Sequence, residues 1–353
     1  MLHLSISTFK KYRDLLSKKF GIEYDTSHLE QLENRIRAQV QTLCSGSYDD
    51  YLSLIQKNEV ECRKFLSLIS TNKTNFFRHP EQYRLLEREV LPELKNKISK
   101  ADKLRILSVG CSRGAELYSI LMVLEQNFNG IFTVDAIGVD IDSAELEIAK
   151  SGIFAEENML DIPGEYSSKF FKKQEDKYLI KKELVSQAKF KFQNIMEQFE
   201  LGDFDLIFCR NCLIYFKEEN KARITNELYK SLKIGGFLFL SPNEFIRDDC
   251  LGSLVEFSSS GLGVYTRKNP VAGSMEYHFI SNRELLKIQL QLQEQSIPYK
   301  LEKYTHTSSG EKTPDHFFII PRDFRFTLEK IMTQIGIKAV KVQSVYNDPP
   351  FFN

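Results

Sequence analysis

Apolar positions along the first ninety residues recur at helical spacing. "STFKKYRDLLSKKFG" (7–21) predicts a helix with Ser7 as its N-cap and Gly21 just past its end. "TSHLEQLENRIRAQVQTL" (26–43) sets Leu29, Leu32, Ile36, Val40 and Leu43 along one helical stripe. "SYDDYLSLIQ" and "EVECRKFLSLIS" continue the series, so residues 1–90 read as a small helical bundle with charged outer faces. From Leu104 the period changes. "LRILSVG" is a short apolar strand, followed by a loop with glycines and the helix "GAELYSILMVLEQ". "VDAIGVDID" predicts a second strand, "SAELEIAKSG" a helix and "FDLIFCRN" a third strand. The helix "EENKARITNELYKSLK", the turn "IGG", the strand "FLFLSPNE" and a last strand "GVYTRK" complete the series. Strands alternating with helices imply an α/β domain, a mostly parallel sheet covered on both faces, with ligands beyond the carboxyl ends of the strands.

Residues 155–192 interrupt this alternation with a helix-like "GEYSSKFFKK" and two amphipathic strands, "KYLIKKEL" and "AKFKFQN". Between Gly164 and Phe192 eight lysines face four acids, which reads as a solvated flap. After Lys268 the order strand, helix, strand, strand, helix, strand ("MEYHFI", "NRELLKIQLQLQEQ", "PYKLEKYT", "DHFFIIP", "FRFTLEKIMTQIG", "AVKVQSVY") is the ferredoxin-like pattern, which names no function. The expected division is therefore 1–90 helical, 91–268 α/β with an insertion at about 155–192, and 269–353 as a C-terminal extension.

Composition adds mainly exclusions. The 353 residues carry zero formal net charge, so bulk electrostatics offers no argument for nucleic acid or a membrane surface. No apolar run has the length of a membrane span, and the first residues turn charged too early for a secretory signal; a cytoplasmic protein without membrane insertion is expected. Six cysteines in so long a chain do not form a disulfide framework. Cys209 and Cys212 make a C-x-x-C in "LIFCRNCLIYF", but no second pair completes a zinc site, and structural thiols and no metal are expected. "NDPPFFN" (347–353) holds a tetrapeptide used by base-methylating enzymes, but far from the strand end where it would act, so no nucleic-acid partner is expected.

The candidate chemistry lies at the strand ends. "SVGCSRGAE" supplies Gly110 and Gly114 for a sharp turn but neither clustered glycines nor a lysine for a diphosphate. Glu116 behind the turn favours a cationic or amine-bearing ligand, and S-adenosylmethionine fits. Asp140, ending the second strand in "GVDID", is placed to accept from both ribose hydroxyls, while Asp142 is a candidate cap for the next helix. Arg210 and Asn211 end the third strand, with Tyr215 just beyond. "TNKTNFFRHPEQYRLL" (71–86) is a poor helix at its start and a plausible cofactor lid.

Taken together, "TNKTNFFR", "SVGCSRGAELYSI", "VDID", "SGIF", "FQNI" and "FDLIFCRNCLIYF" strongly resemble the chemotaxis receptor methyltransferases, the CheR type, over roughly residues 5–268. The resemblance implies a class I SAM-dependent methyltransferase fold, a Rossmann-like doubly wound sheet. It implies transfer of a methyl group from S-adenosylmethionine to glutamate side chains on the cytoplasmic helices of methyl-accepting chemoreceptors, leaving S-adenosylhomocysteine. It implies cofactor contacts at Asn72, Thr74, Arg78, Glu116, Asp140, Asn194, Ile195, Arg210 and Asn211. Substrate-side roles are expected for Arg78 and Tyr215, with Arg210 as a further candidate. Ala115 and Leu117 depart from the Glu and Pro usual in the family's first loop. The flap resembles the family's β-subdomain without its glycine-rich loop, which implies a receptor partner bound independently of a C-terminal pentapeptide. Lys10, Lys11, Arg13, Lys18, Lys19, Arg35 and Arg37 are the basic residues expected to meet acidic receptor helices. A cofactor-binding regulatory module without turnover, or a methyltransferase for another protein, is the alternative.

Overall fold

The computed structural model describes residues 3–70, 74–99, 102–197, 202–244, 254–256, 261–267, 274–279, 282–294, 300–305, 314–321, 328, 331–332 and 341–344. The chain divides into two compact units, residues 1–251 with 256–267, and residues 252–255 with 268–353.

The first unit begins with four helices, α1 (Ile6–Phe20), α2 (Leu29–Cys44), α3 (Tyr48–Lys57) and α4 (Glu59–Ile69). Ser5, not Ser7, caps α1, because its side chain accepts the Thr8 N–H; Gly21 closes the helix in the left-handed region at φ 70° as expected. Ser47 and Asn58 cap α3 and α4 in the same way. Phe9, Tyr12, Leu32, Ile36, Val40, Tyr51 and Phe65 form the helical core, whereas Leu43, at the end of the predicted stripe, is half exposed. The next helices, α5 (Pro80–Leu85) and α6 (Leu91–Lys97), are joined by a π-helical turn. Their apolar residues Tyr83, Leu85, Leu86, Leu91 and Leu94 pack in the core of the sheet, as do Phe76 and Phe77. The two cores therefore divide between Ile69 and Phe76, ahead of the expected boundary at residue 90.

The sheet contains β1 (Lys103–Val109), β2 (Thr133–Asp140), β6 (Ala188–Phe192), β7 (Phe204–Cys209), β8 (Leu232–Leu240), β9 (Leu254–Glu256) and β10 (Val264–Arg267) in the order β6-β2-β1-β7-β8-β10-β9. β1, β2, β6, β7 and β8 run parallel, and β10 is antiparallel to β8. Helices α7 (Ala115–Asn127), α8 (Ser143–Ser151) and α11 (Glu218–Ser231) make the crossovers. The predicted "IGG" turn is absorbed into β8, where Gly235 (φ 78°) accompanies a break in the register between Phe204 and Leu206 of β7.

The insertion is smaller than expected. β3 (Ile153–Ala155), β5 (Lys177–Ile180) and β4 (Phe171–Gln174) form a separate three-stranded sheet in that order, flanked by α9 (Gly164–Phe170) and α10 (Lys182–Gln187). The helix in "GEYSSKFFKK" ends at Phe170, and the strand in "KYLIKKEL" at Ile180. β6, placed in the flap by its alternating pattern, belongs to the main sheet. An edge strand with one solvated face has the same pattern as a flap strand. Its Phe190 lies opposite Gly138 of β2.

The second unit holds β11 (Ser274–Phe279), α12 (Asn282–Glu294), β12 (Lys300–Thr305), β13 (Pro314–Pro321) and β14 (Lys341–Ser344). The antiparallel order β12-β13-β11-β14 is that of a ferredoxin-like sheet. Most of the predicted helix 324–336, and "NDPPFFN", lie outside the described residues.

A Cβ on Gly138 would meet the Phe190 ring at 2.8 Å and the Cys111 Sγ at 2.9 Å, both buried. Gly138→Ala should therefore cost about 1–3 kcal/mol through overpacking, read as a lower urea midpoint with an unchanged slope.

Candidate functional site

A cavity of about 390 Å³ opens at the carboxyl ends of β1, β2, β6 and β7, where a doubly wound sheet binds ligands. Its walls include Thr74, Arg78, Glu116, Asp140, Asn194, Ile195, Arg210, Asn211 and Tyr215, which brings together every predicted site residue but Asn72. Asn72 lies outside the described residues. Phe20, Tyr24, His28, Gln31 and Ile69 bring the helical region onto the same wall.

The first loop is built to hold itself. Gly110 and Cys111 both donate their N–H groups to the Val139 carbonyl, at 2.9 and 3.1 Å. The Ser112 N–H goes to Asp140 Oδ2 at 2.7 Å, and Gly114 N–H to the Cys111 carbonyl. Gly110 and Gly114 supply left-handed conformations (φ 67° and 82°), and even Ser112 adopts one at φ 48°. Glu145 of α8 fixes the loop from outside, accepting from the Ser112 hydroxyl and from Arg113 through two bonds of 2.8 and 2.9 Å. Three of these amides are turned toward β2 and the fourth into the loop itself, the reverse of a phosphate cradle. Ala115 and Leu117 are buried in the sheet's core, so the departures from the family pattern fall on packing positions and not on the cavity wall.

Asp140 ends β2 with each carboxylate oxygen accepting one backbone N–H, from Ser112 and from Asp142 at 2.8 Å. Burial nonetheless pushes its carboxyl up to about 6, against the opposing pull of these bonds. Asp142 caps α8 through the N–H groups of Ala144 and Glu145 and accepts the Ser67 hydroxyl of α4, which ties the helical region to the sheet.

Glu116 and Arg210 are paired with each other. Arg210 Nε donates to Glu116 Oε2 at 2.6 Å, and Ser108 of β1 donates to Glu116 Oε1 at 2.7 Å. Arg210 Nη1 donates to the Arg78 carbonyl (2.6 Å) and Gln82 Oε1 (2.9 Å), and Nη2 to the Tyr83 hydroxyl (3.1 Å). Four of its five N–H donors are engaged and its side chain is 2% exposed. Arg210 thus lines the cavity with most of its donors committed to the protein itself. Its bond to the Arg78 carbonyl joins the end of segment 74–78 to the end of β7.

The lid itself alternates between anchor and wall. Phe76 packs edge-on against Phe154 of β3 and Phe171 of β4, at 4.8 and 5.2 Å between ring centres. Phe77 donates its N–H to Ser119 and packs on Tyr83 and Tyr166. Thr74, Asn75 and Arg78 are left on the cavity wall. Asn194 clasps α1, its amide donating to the Lys19 carbonyl and its oxygen accepting the Met196 N–H. Asn211 adopts φ 56°, and its N–H is shared between Ser241 Oγ (2.9 Å) and Glu244 Oε2 (2.8 Å). Tyr215 accepts the Glu23 N–H at its carbonyl, which pins the segment after α1 beside the cavity.

Gln82, Tyr83 and Glu244 support the site without a sequence signal of their own. Gln82 also donates to the carbonyls of Leu240 and Leu262, both at 2.6 Å. A polar residue inside a helical pattern reads as surface until the partners are known. Arg35, expected on a receptor-facing surface, instead donates to the carbonyls of Ile69 and Ser70 at the end of α4, and Arg37 pairs with the buried Glu33.

Comparison with known proteins accords with this geometry. Residues 72–255 match the model of the CheR methyltransferase SAM binding domain, and residues 7–70 that of the CheR methyltransferase all-alpha domain. The chain belongs to the CheR methyltransferase family. A chemotaxis protein methyltransferase of Borreliella burgdorferi is 31% identical over 66% of this chain and 86% of its own length. Chemotaxis protein methyltransferase 2 of Vibrio cholerae is 30% identical over 67% and 84%, and the Escherichia coli chemotaxis protein methyltransferase 28% over 69% and 86%. This CheR-family chain is thus an S-adenosylmethionine-dependent methyltransferase with an added C-terminal unit. No described helix is long and apolar enough to cross a membrane.

The buried pair makes a sharp prediction for stability. Arg210→Met leaves Glu116 without its counter-ion and should cost about 3–5 kcal/mol. Arg210→Met combined with Glu116→Gln should recover most of that loss in chemical denaturation of the cofactor-free protein.

Proposed function

We propose that this enzyme methylates glutamate side chains on the cytoplasmic helical domain of chemoreceptors. The observation that carries the reading is that Arg78 and Tyr215 share one cavity wall with Asp140. An acceptor carboxylate and the nucleoside of the methyl donor thus have polar partners in a single chamber.

The residues fit the cofactor. Asp140 keeps lone pairs beyond its two backbone bonds for a ribose diol. Val109, Val139, Ile141 and Ile195 line the same cavity and offer apolar surface to an adenine. Thr74 and Asn211 supply polar contacts, Asn194 shapes the adenine end, and the Glu116–Arg210 pair forms the floor. When bound, S-adenosylmethionine supplies a methyl group on a cationic sulfur. The chain's own part is modest. A glutamate side chain is ionised at neutral pH, so its attack needs no general base. Arg78 and Tyr215 orient that carboxylate, and the lid and the segment 22–24 exclude water, so that rate comes from orientation in a dry site.

Two features support a receptor partner bound without a peptide tether. β4 and β5 are joined by the two-residue turn Glu175–Asp176, which leaves no glycine-rich loop. Lys10 and Lys18 are exposed on α1, whereas Arg35 and Arg37 are engaged internally.

Transfer of labelled methyl to receptor cytoplasmic fragments tests the reading. Base-labile label on glutamate is expected, and Arg78→Ala should lower turnover by about 10²-fold. Cofactor binding without transfer to any receptor fragment would favour a regulatory module instead. Charge reversal at Lys10 and Lys18 should weaken receptor methylation and spare S-adenosylhomocysteine affinity.

Affinity should also follow Asp140. Ribose hydroxyls donate to the ionised carboxylate, so binding lowers its pKa and is linked to proton release. S-adenosylhomocysteine affinity, measured by calorimetry, should be flat above pH 7. It should weaken toward about tenfold per pH unit once pH falls below the carboxyl's value of about 6. Asp140→Asn should bind more weakly and lose the slope.

A further inference from the structure

The C-x-x-C of "FCRNC" is not absorbed by methyl transfer, and the structure gives it a place. Cys209 ends β7, wholly buried, with Cys212 neighbouring its thiol. Cys212 is half-buried and lines the cofactor cavity. Its Sγ lies against the first loop, 3.2 Å from where a Cβ on Gly110 would stand. Between the two cysteines Asn211 adopts the left-handed region at φ 56°.

We propose that Cys209 and Cys212 are a redox modification site, joined as a reversible disulfide by hydroperoxides entering the empty cavity, and that this bond opposes cofactor binding. The proposal rests on the cofactor occupying this cavity. Cys212 is the thiol an oxidant meets first, because it is on the wall, while Cys209 stands behind it. The neighbouring Cys212 and burial hold the Cys209 thiol protonated well above the ordinary thiol range, which suits a resolving and not an attacking role. The Cys212 thiolate attacks a peroxide oxygen, the O–O bond breaks, and a sulfenic acid forms with release of hydroxide, or of alkoxide from an alkyl hydroperoxide. The Cys209 sulfur then displaces the sulfenic oxygen as water. In sum, two thiols and one hydrogen peroxide give one disulfide and two waters.

The consequence for the cavity follows from geometry. A disulfide holds its sulfurs about 2.05 Å and its Cβ atoms about 3.8 Å apart. The residues between are Arg210, locked in the buried ion pair, and Asn211, whose N–H is held by Ser241 and Glu244. Drawing Cys212 toward Cys209 therefore moves the wall that faces Gly110. A bound cofactor covers Cys212 and prevents the reaction.

The test uses the full chain and hydrogen peroxide, with S-adenosylhomocysteine as the probe. Reduced protein must first bind the probe; absence of binding would overturn the reading of the cavity itself. Peroxide treatment is then expected to remove two hydrogens from the peptide containing residues 209–212, seen by mass spectrometry. Probe affinity should weaken at least about tenfold and return with dithiothreitol, and saturation with probe beforehand should protect. Cys212→Ser and Cys209→Ser, each compared with its own untreated state, should lose the peroxide response, whereas Cys44→Ser should keep it. No cross-link, a cross-link that leaves affinity unchanged, or equal sensitivity in Cys212→Ser would each overturn the proposal. Should either variant fail to fold, peptide mapping and probe protection on the unaltered chain decide alone.

Discussion

The buried pairing of Arg210 with Glu116 is the interaction around which the site is organised. It takes a cation from the end of β7 and an anion from the first turn of α7 and removes both from water. Isolated, each charge would be costly; together, with Ser108, Gln82, Tyr83 and the Arg78 carbonyl completing their bonds, they form a satisfied network. Gln82 extends the network to the Leu240 and Leu262 carbonyls beside β8 and β10. One guanidinium therefore sets where the lid's distal end meets the strand ends, and through it the positions of Thr74 and Arg78. The cavity is bounded by this charged floor without being charged by it.

Much of the fold was legible because periodicity reports burial. The alternation of apolar runs and amphipathic helices placed β1, β2, β7 and their crossovers, and the ferredoxin-like order of the second unit. The failures share a cause. β6 reads as part of the flap because an edge strand and a solvated hairpin strand have the same alternating pattern, and only pairing with β2 separates them. "GEYSSKFFKK" and "KYLIKKEL" contain no breaker, so element ends are invisible where helix passes straight into strand at Phe170–Phe171 and where strand gives way to helix after Ile180.

The candidate site was legible residue by residue and misread in its connections. Asp140, Arg210 and Asn211 stand out because polar residues ending apolar strands must face something, and Glu116 because a carboxylate behind a glycine turn favours a cationic ligand. That Glu116 and Arg210 face each other is a fact of three dimensions, separated as they are by 94 positions. The same holds for Arg35, which looks like surface charge along α2 and acts as a cap for the carbonyls of α4. Ala115 and Leu117, conspicuous as departures, proved to be core residues, so the family pattern was broken where shape and not chemistry is read.

The inward-turned amides of the first loop bear on which nucleotides are kept out. Adenosine triphosphate carries the same base and sugar as the methyl donor and is abundant in any cell. A loop with outward N–H groups would welcome its phosphates at a helix N-terminus. Here Gly110, Cys111, Ser112 and Gly114 donate to the protein's own oxygens, and the Asp140 carboxylate stands beside them. A triphosphate lying against this loop would find those four amides already engaged. On the proposed placement of the nucleoside, the loop would select among adenosine compounds by the hydrogen bonds it withholds.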